Sequence, residues 1–177
     1  IKQEVKNSKD GNKGYILLKM NGLQDPSMVE QLYKASEAGV KVDLIIRGAC
    51  ILKTGQAYSK NIRVIRIIDR FLEHARIMVF FNQGDHQIFL SSADWMKRNL
   101  LRRIECGIPV YDPDAKQELL DILEIQLADN VKACEIDTEL NNVRIQNKKP
   151  RIRSQIATYQ YFKEKYKVRR PKSQKSE

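Results

Sequence analysis

Apolar positions along the chain change their spacing several times, and each change marks an element. The run "GYILLKM" (14–20) is a strand candidate. The next segment, "DPSMVEQLYKASEAG", sets Val29, Leu32, Tyr33 and Ser36 on one face at helical spacing. Asp25 can cap the free amides at its start, Pro26 suits the first helical position, and Gly39 suits a left-handed stop. A helix over 26–38 is therefore predicted. "KVDLIIRG" (41–48) then reads as a second, apolar strand, so the order is strand, helix, strand. That unit normally joins parallel strands by a right-handed crossover.

Past the second strand, "ACILKTGQAYSKN" (49–61) mixes Gly, Ser, Thr and Lys where open α/β sheets usually place their ligand loops. "IRVIRII" reads as a third strand, and "RIMVFFN" with "HQIFLSS" as a hairpin turned at "QGD". "SADWMKRNLLRR" begins a short helix or turn with Asp94 as its cap, and "RRIECGIPVY" returns as a strand. From Asp114 an amphipathic helix gathers Leu119, Ile122, Leu123 and Leu127 on one side, with Gln117 placed for a capping box. "ACEIDTELNNVRI" suggests a hairpin and "SQIATYQYFKEKYK" a last helix. No internal repeat is visible. The pattern predicts an α/β fold: a mixed, largely parallel sheet flanked by helices.

Composition bounds what such a fold can do. With 177 residues, 42% of them hydrophobic, the chain can bury one sizeable core. Lys and Arg number 32 against 22 Asp and Glu, and the resulting charge of +10 favours a polyanionic partner such as nucleic acid, a phosphate-rich ligand or an anionic surface. Part of the excess lies in the last stretch, whose Pro, Ser and Lys content predicts a basic, disordered tail over 167–177. The opening "IKQEVKNSKDGNKG" has no Met and reads as the exit from a preceding domain. Residues 1–13 are then a lead-in and 14–166 the domain proper.

Three widely spaced cysteines with no CxxC pair argue against a disulfide scaffold and a structural zinc site, and fit a reducing, cytoplasmic setting. No apolar run reaches the ~20 residues of a membrane span, because even "VDLIIRGACIL" is broken by Arg47. The sequence leaves the oligomeric state open, a homo-oligomer included.

The chemistry candidates cluster between residues 19 and 76. His74 lies in "RIIDRFLEHARIMVFF" with Arg70, Glu73 and Arg76 as close neighbours. Imidazole suits proton exchange near neutral pH, and guanidinium groups beside it would hold phosphate. The same residues would also suit an ordinary histidine at a core edge. His86, in the turn "NQGDHQ", needs no explanation beyond exposure. Arg47 follows the apolar "LII" at a strand end, where it can reach water or grip phosphate with two prongs. Lys19 occupies the equivalent end of the preceding strand, and two cations on adjacent strand ends would make a phosphate site together. No Walker loop, GxGxxG or GxSxG is present, and neither metal-ligand spacing nor a carboxylate pair occurs.

Three longer strings carry a resemblance. "LKMNGLQDPSMVEQLYKASEAGVKVDLIIRGAC", "NIRVIRIIDRFLEHARI" and "LSSADWMKRNLLRRIECGIPV" resemble the C-terminal part of the bacterial polyphosphate kinases, the ATP-dependent, phosphohistidine type, and the likeness continues through "LADNVKA" and "SQIATYQYF". That family is similar to phospholipase D, with two related α/β domains at its C-terminal end, and this chain resembles the second. "HAR" sets His74 and Arg76 where the phospholipase pattern begins His-x-Lys, "LSSAD" resembles its Gly-Ser-x-Asn turn, and Phe81 stands where the pattern has Asp.

The resemblance implies reversible transfer of the terminal ATP phosphoryl through a histidine to polyphosphate, with ATP/ADP as substrate and magnesium assisting. The phosphorylated histidine and the magnesium ligands would belong to the preceding domain of the same chain. Arg47 would contact nucleotide phosphates. His74 would be the second active histidine, acting by proton transfer or hydrogen bonding. Lys19 and Arg70 are further phosphate-contact candidates, and the basic stretches around "MKRNLLRR" and "RIIDRFLEHAR" would line a path for polyphosphate. The segment between Arg47 and His74 is one residue shorter than the family's and lacks its proline. The complete enzyme would be cytoplasmic, with membrane association left open.

Two other readings fit a basic α/β chain. A nucleic-acid-binding module would want a row of aromatics, whereas Tyr159, Tyr161, Phe162 and Tyr166 suit the face and flank of the last helix. A phospholipase D-class phosphodiesterase would want a complete motif, usually twice, and one incomplete copy is present.

Overall fold

Residues 1–167 are described by the computed structural model; the predicted tail, apart from its first residue, lies outside them. The elements run α1 (Lys2–Lys9), β1 (Tyr15–Met20), α2 (Pro26–Glu37), β2 (Lys41–Ile46), β3 (Ile62–Ile67), β4 (Ile77–Phe80), β5 (Gln87–Ser91), α3 (Lys97–Leu101), β6 (Gly107–Val110), α4 (Pro113–Leu127), β7 (Ala133–Ile136), β8 (Asn142–Arg144) and α5 (Ser154–Lys165). The eight strands form a single sheet in the order β6-β5-β4-β1-β2-β3-β7-β8.

The sheet is mixed and flanked by helices, as the pattern predicts, but it is not largely parallel. Parallel pairing joins β1 to β2 and β2 to β3. The pairs β1–β4, β3–β7, β4–β5, β5–β6 and β7–β8 are antiparallel. Parallel neighbours need a crossover, and only the β1-α2-β2 unit and the loop at 47–61 supply one. The rest of the chain turns back on itself.

Alternation along the central strands feeds two cores, one on each face. Ile16, Leu18 and Met20 of β1 join Val42, Leu44 and Ile46 of β2 beneath Val29, Leu32 and Ala35 of α2. Leu17, Ile45, Ile65 and Val79 face the other way, against Leu123 of α4 with Leu119 and Leu127 beside it. The crossover at 47–61 carries no α-helix. Fully buried Leu52 roots it in the α2-side core, and Thr54 donates to the carbonyl of Ile136 at 2.9 Å.

Helices α2 and α4 both begin on Asp-Pro. Asp25 caps α2 by accepting from the Met28 amide, and Asp112 caps α4 by accepting from Ala115. The capping box expected at Asp114 and Gln117 does not form, because the helix starts two residues earlier and Gln117 instead donates to Asp121 at 2.7 Å. Residues 1–13, read as a lead-in, contain α1, whose buried Glu4 accepts the amides of Tyr15 at 3.1 Å and Asn82 at 2.7 Å. Polar Glu4 and Asn7 are the buried side chains of this helix, so an apolar pattern could not announce it. Among the described residues no helix is long and apolar enough to cross a membrane.

One edge of the sheet collects the loops that matter. β1, β2 and β3 end there, antiparallel β4 begins there, and β5 ends there. The rim is stitched by backbone bonds: Leu23 donates to Ala49, Trp95 to Gly22, and Gln24 to Trp95.

Candidate active site

Parallel register sets Met20 opposite Ile46, so the residues just beyond, Asn21 and Arg47, come side by side. The Arg47 Nε donates to Asn21 Oδ1 at 2.5 Å. Gly48 holds this contact close, since its amide donates to the Asn21 carbonyl at 2.8 Å and a Cβ there would lie 2.6 Å from that oxygen. Asn21 and Gly22 in turn donate their amides to Asp94 Oδ1 at 2.7 and 3.1 Å. Asp94 Oδ2 accepts from Arg76 Nη2 at 2.9 Å, a pair only 13% and 6% exposed. Arg76 Nη1 then donates to the carbonyl and to Nδ1 of His74, at 3.0 and 3.1 Å.

The chain of contacts runs Arg47, Asn21, Asp94, Arg76, His74. Guanidinium has no acceptor, so Nδ1 of His74 must accept, and the neutral imidazole carries its proton on Nε2. Burial pushes the Asp94 carboxyl up, but the Arg76 guanidinium and the two amides outweigh it and leave the group below its ordinary range. Asp94 is thus an ionised hub rather than the helix cap expected of it. Met96 precedes α3 without a side-chain cap.

His74 sits on the segment between β3 and β4, which has no regular structure but several anchors. Asp69, half-buried but with its side chain only 2% exposed, accepts two bonds from Arg153, at 2.8 and 2.6 Å, and that guanidinium holds its carboxyl below the ordinary range. Gln155 exchanges bonds with the Phe71 backbone, accepting at 2.9 Å and donating at 2.8 Å. Glu73 accepts from Lys19 at 2.5 Å, Gln126 at 2.9 Å and Gln155 at 3.0 Å. Three tethers on one side and Arg76 on the other leave His74 exposed but held, which is how a rigid scaffold positions a functional loop residue.

Lys19 stands beside Arg47 in the sheet, but its ammonium is turned to Glu73, with side chains 8% and 19% exposed. Burial lowers its pKa, with Glu73 offsetting part of the effect and the Arg47 charge adding to it. Arg47 differs: its one hydrogen-bond partner among the described residues is a neutral amide. Arg70 is exposed, and with Arg47, Asp69 and Phe71 it lines a cleft of about 290 Å³. His86 lies past the opposite end of β4, half-buried, its ring edge-to-face with Phe81 at 5.3 Å.

A family model, polyphosphate kinase C-terminal domain 2, matches residues 1–155. The chain belongs to that family. Polyphosphate kinase of Vibrio vulnificus strain YJ016 is 50% identical over 165 residues, covering 92% of this chain and 24% of that protein. The Escherichia coli K12 polyphosphate kinase is 44% identical over the same span. The chain therefore spans about a quarter of the length of these relatives. The crystal structure of polyphosphate kinase from Porphyromonas gingivalis superposes with a TM-score of 0.91 at 55% identity, covering 93% of this chain and 26% of that one. A phospholipase D family member, Nuc from Salmonella typhimurium, superposes with a TM-score of 0.54 at 16% identity over 75% of this chain and 88% of that one, a likeness of fold.

Magnesium, implied by the family resemblance, does not suit the residues of this domain. Glu73 and Asp94, the carboxylates beside His74, are each engaged by a cationic side chain, and among the described residues no cluster could hold a metal ion. The sequence singles out His74, Arg47, Lys19 and Arg70 and shows Glu73 as a neighbour of His74, but it gives no anchoring role to Glu73, Arg153 or Gln155 and does not point to Asn21. For Asn21 a signal existed: it follows β1 at the same level at which Arg47 follows β2.

Proposed function

We propose that this chain supplies one side of a phosphoryl-transfer site in a polyphosphate kinase, which moves the terminal phosphoryl of ATP reversibly onto inorganic polyphosphate. The observation that carries this reading is the continuous link from Arg47 to His74 through Asn21, Asp94 and Arg76, which ties an uncompensated guanidinium and an exposed imidazole into one network. Phosphoryl transfer passes through a loose transition state with charge spread over the equatorial oxygens, so catalysis is mostly positioning and charge stabilisation. Arg47 grips nucleotide phosphate with its outer nitrogens while Nε stays on Asn21. His74 offers its Nε2 proton to a reacting phosphate oxygen. Arg76 and Asp94 position that ring, and Lys19 acts through the loop it anchors. Arg70 adds positive charge at the rim.

The chain holds two histidines, and His86 lies at the wrong end of β4. On this reading the phosphohistidine is a different residue from His74 and lies, with the magnesium ligands, in a preceding domain of the same chain, as the family resemblance implies. The three cysteines are free, which suits a cytoplasmic enzyme.

The reading is tested with labelled ATP, magnesium and polyphosphate. The complete protein is expected to move the terminal phosphoryl into acid-insoluble polyphosphate, and the isolated 177-residue chain to move none. A complete protein that fails to do so but cleaves phosphodiesters would refute the reading.

A further inference from the structure

A second cavity, of about 520 Å³, opens on the far side of Arg47, between the end of β3 and the β7–β8 hairpin. Arg47, Arg66, Lys132 and Arg144 line it, with Asn142 between them, and no carboxylate is among the lining residues. Register explains the concentration of charge: Arg66 pairs with Cys134 and Cys134 with Arg144, so the two arginines lie in one row, two strands apart. Adjacent strands are about 4.8 Å apart, which sets their backbones about 10 Å from each other.

Arg66 is locked in place by neutral acceptors alone. It donates to the carbonyls of Ile46 and Gly48 at 3.3 and 2.7 Å and to Asn142 Oδ1 at 2.8 Å. Arg144 reaches the Val131 carbonyl at 3.4 Å, and Lys132 approaches the carboxylate of Asp69 only to 4.0 Å. Like charges gathered on a sheet face repel, and their field draws an anion into the space between them. Arg47 and Ile68 line this cavity and also the smaller cleft of Arg70, so the two are contiguous.

We infer that this cavity is a subsite for a phosphate chain, receiving polyphosphate units beyond those held at Arg47 and His74. The inference rests on the function proposed above. A linear polyanion without bases fits better than nucleic acid, since no aromatic side chain lines the cavity for bases to stack on. Polyphosphate that runs past Arg47 meets three further cations in sequence.

The test is equilibrium binding to the complete protein of long-chain polyphosphate, tripolyphosphate and ATP. Lys132 and Arg144 both reach solvent, so Lys132→Ala with Arg144→Ala removes two charges at little cost to the fold, which a thermal melt checks. Affinity for long-chain polyphosphate should fall about 10- to 100-fold, and the slope of log Kd against log salt should flatten by about 1 to 2. ATP and tripolyphosphate, too short to reach the far cations, should lose far less. Lys132→Arg with Arg144→Lys should retain the long-chain affinity. Removing two exposed cations of α1, Lys2→Ala with Lys9→Ala, should leave it unchanged. The inference falls if the Lys132/Arg144 variant binds long chains as tightly as wild type. It also falls if the α1 pair loses as much, or if oligothymidylate depends on the same two residues as strongly. Wild-type protein that binds neither ATP nor polyphosphate would instead remove the proposed function itself.

Discussion

Replacing His74 with alanine in the complete protein should lower phosphoryl transfer between ATP and polyphosphate by about 100- to 10,000-fold, the range for loss of a positioned proton donor or acceptor. The same change at His86 should leave the rate near wild type. The two histidines control for one another, because they flank the same strand at its opposite ends. His74 is exposed, and among the described residues its side chain bonds only to Arg76, so its removal should cost no more than about 0.5 kcal/mol of stability. His86 is the more buried of the two and packs on Phe81, so any structural penalty should fall on the variant that keeps its activity. Circular dichroism and thermal melts, read beside the rates, separate these effects. Equal rates in both variants would remove His74 from the chemistry.

Arg47→Ala should cost about 10- to 150-fold in kcat/KM for ATP, the equivalent of about 1.5 to 3 kcal/mol for a lost charge-assisted phosphate contact. Arg47→Lys should recover little of it. A lysine can carry the charge, but it cannot keep one nitrogen on Asn21 while presenting two others to phosphate. The fold should survive either change, since Gly48 and the Asn21 carbonyl hold the strand ends together without the arginine side chain. Unchanged turnover and nucleotide affinity in Arg47→Ala would refute its assignment.

The central fold was legible because its signals are local. Asp-Pro before an apolar face and Gly39 after it bound α2, and continuous apolar runs on either side give β1 and β2. The outer sheet was harder, since nothing in "RRIECGIPVY" says whether its strand pairs parallel or antiparallel. Pairing direction is set by where the chain can return, and β6 returns as the antiparallel neighbour of β5. Helix α1 was invisible because it is tied down by the carboxylate of Glu4 and not by an apolar stripe.

The site divides in the same way. His74 and Arg47 stand out as candidates from residue type and position, because histidine and arginine at loop and strand ends suit phosphate chemistry, and the family resemblance is what puts them first. Asp94 read as a cap because Asp before a short helical stretch usually is one; its actual partners are 18 and more than 70 residues away along the chain. Lys19 read as a phosphate contact because its strand end matches that of Arg47, and only the tertiary structure brings Glu73 to it. Long-range pairs of this kind leave no periodic trace in a sequence.

Arg47 and His74 are proposed as two ends of one phosphate-binding unit, and a double-mutant cycle puts that pairing to the test. The kcat/KM for transfer from ATP to polyphosphate would be measured for the complete wild-type protein, Arg47→Ala, His74→Ala and the double variant. Groups that serve the same reacting phosphates lose less together than the product of their separate losses, with coupling of about 0.5 to 3 kcal/mol. The double variant should be scarcely slower than His74→Ala alone. Losses that simply multiply would contradict it, because Arg47 and His74 would then be acting independently.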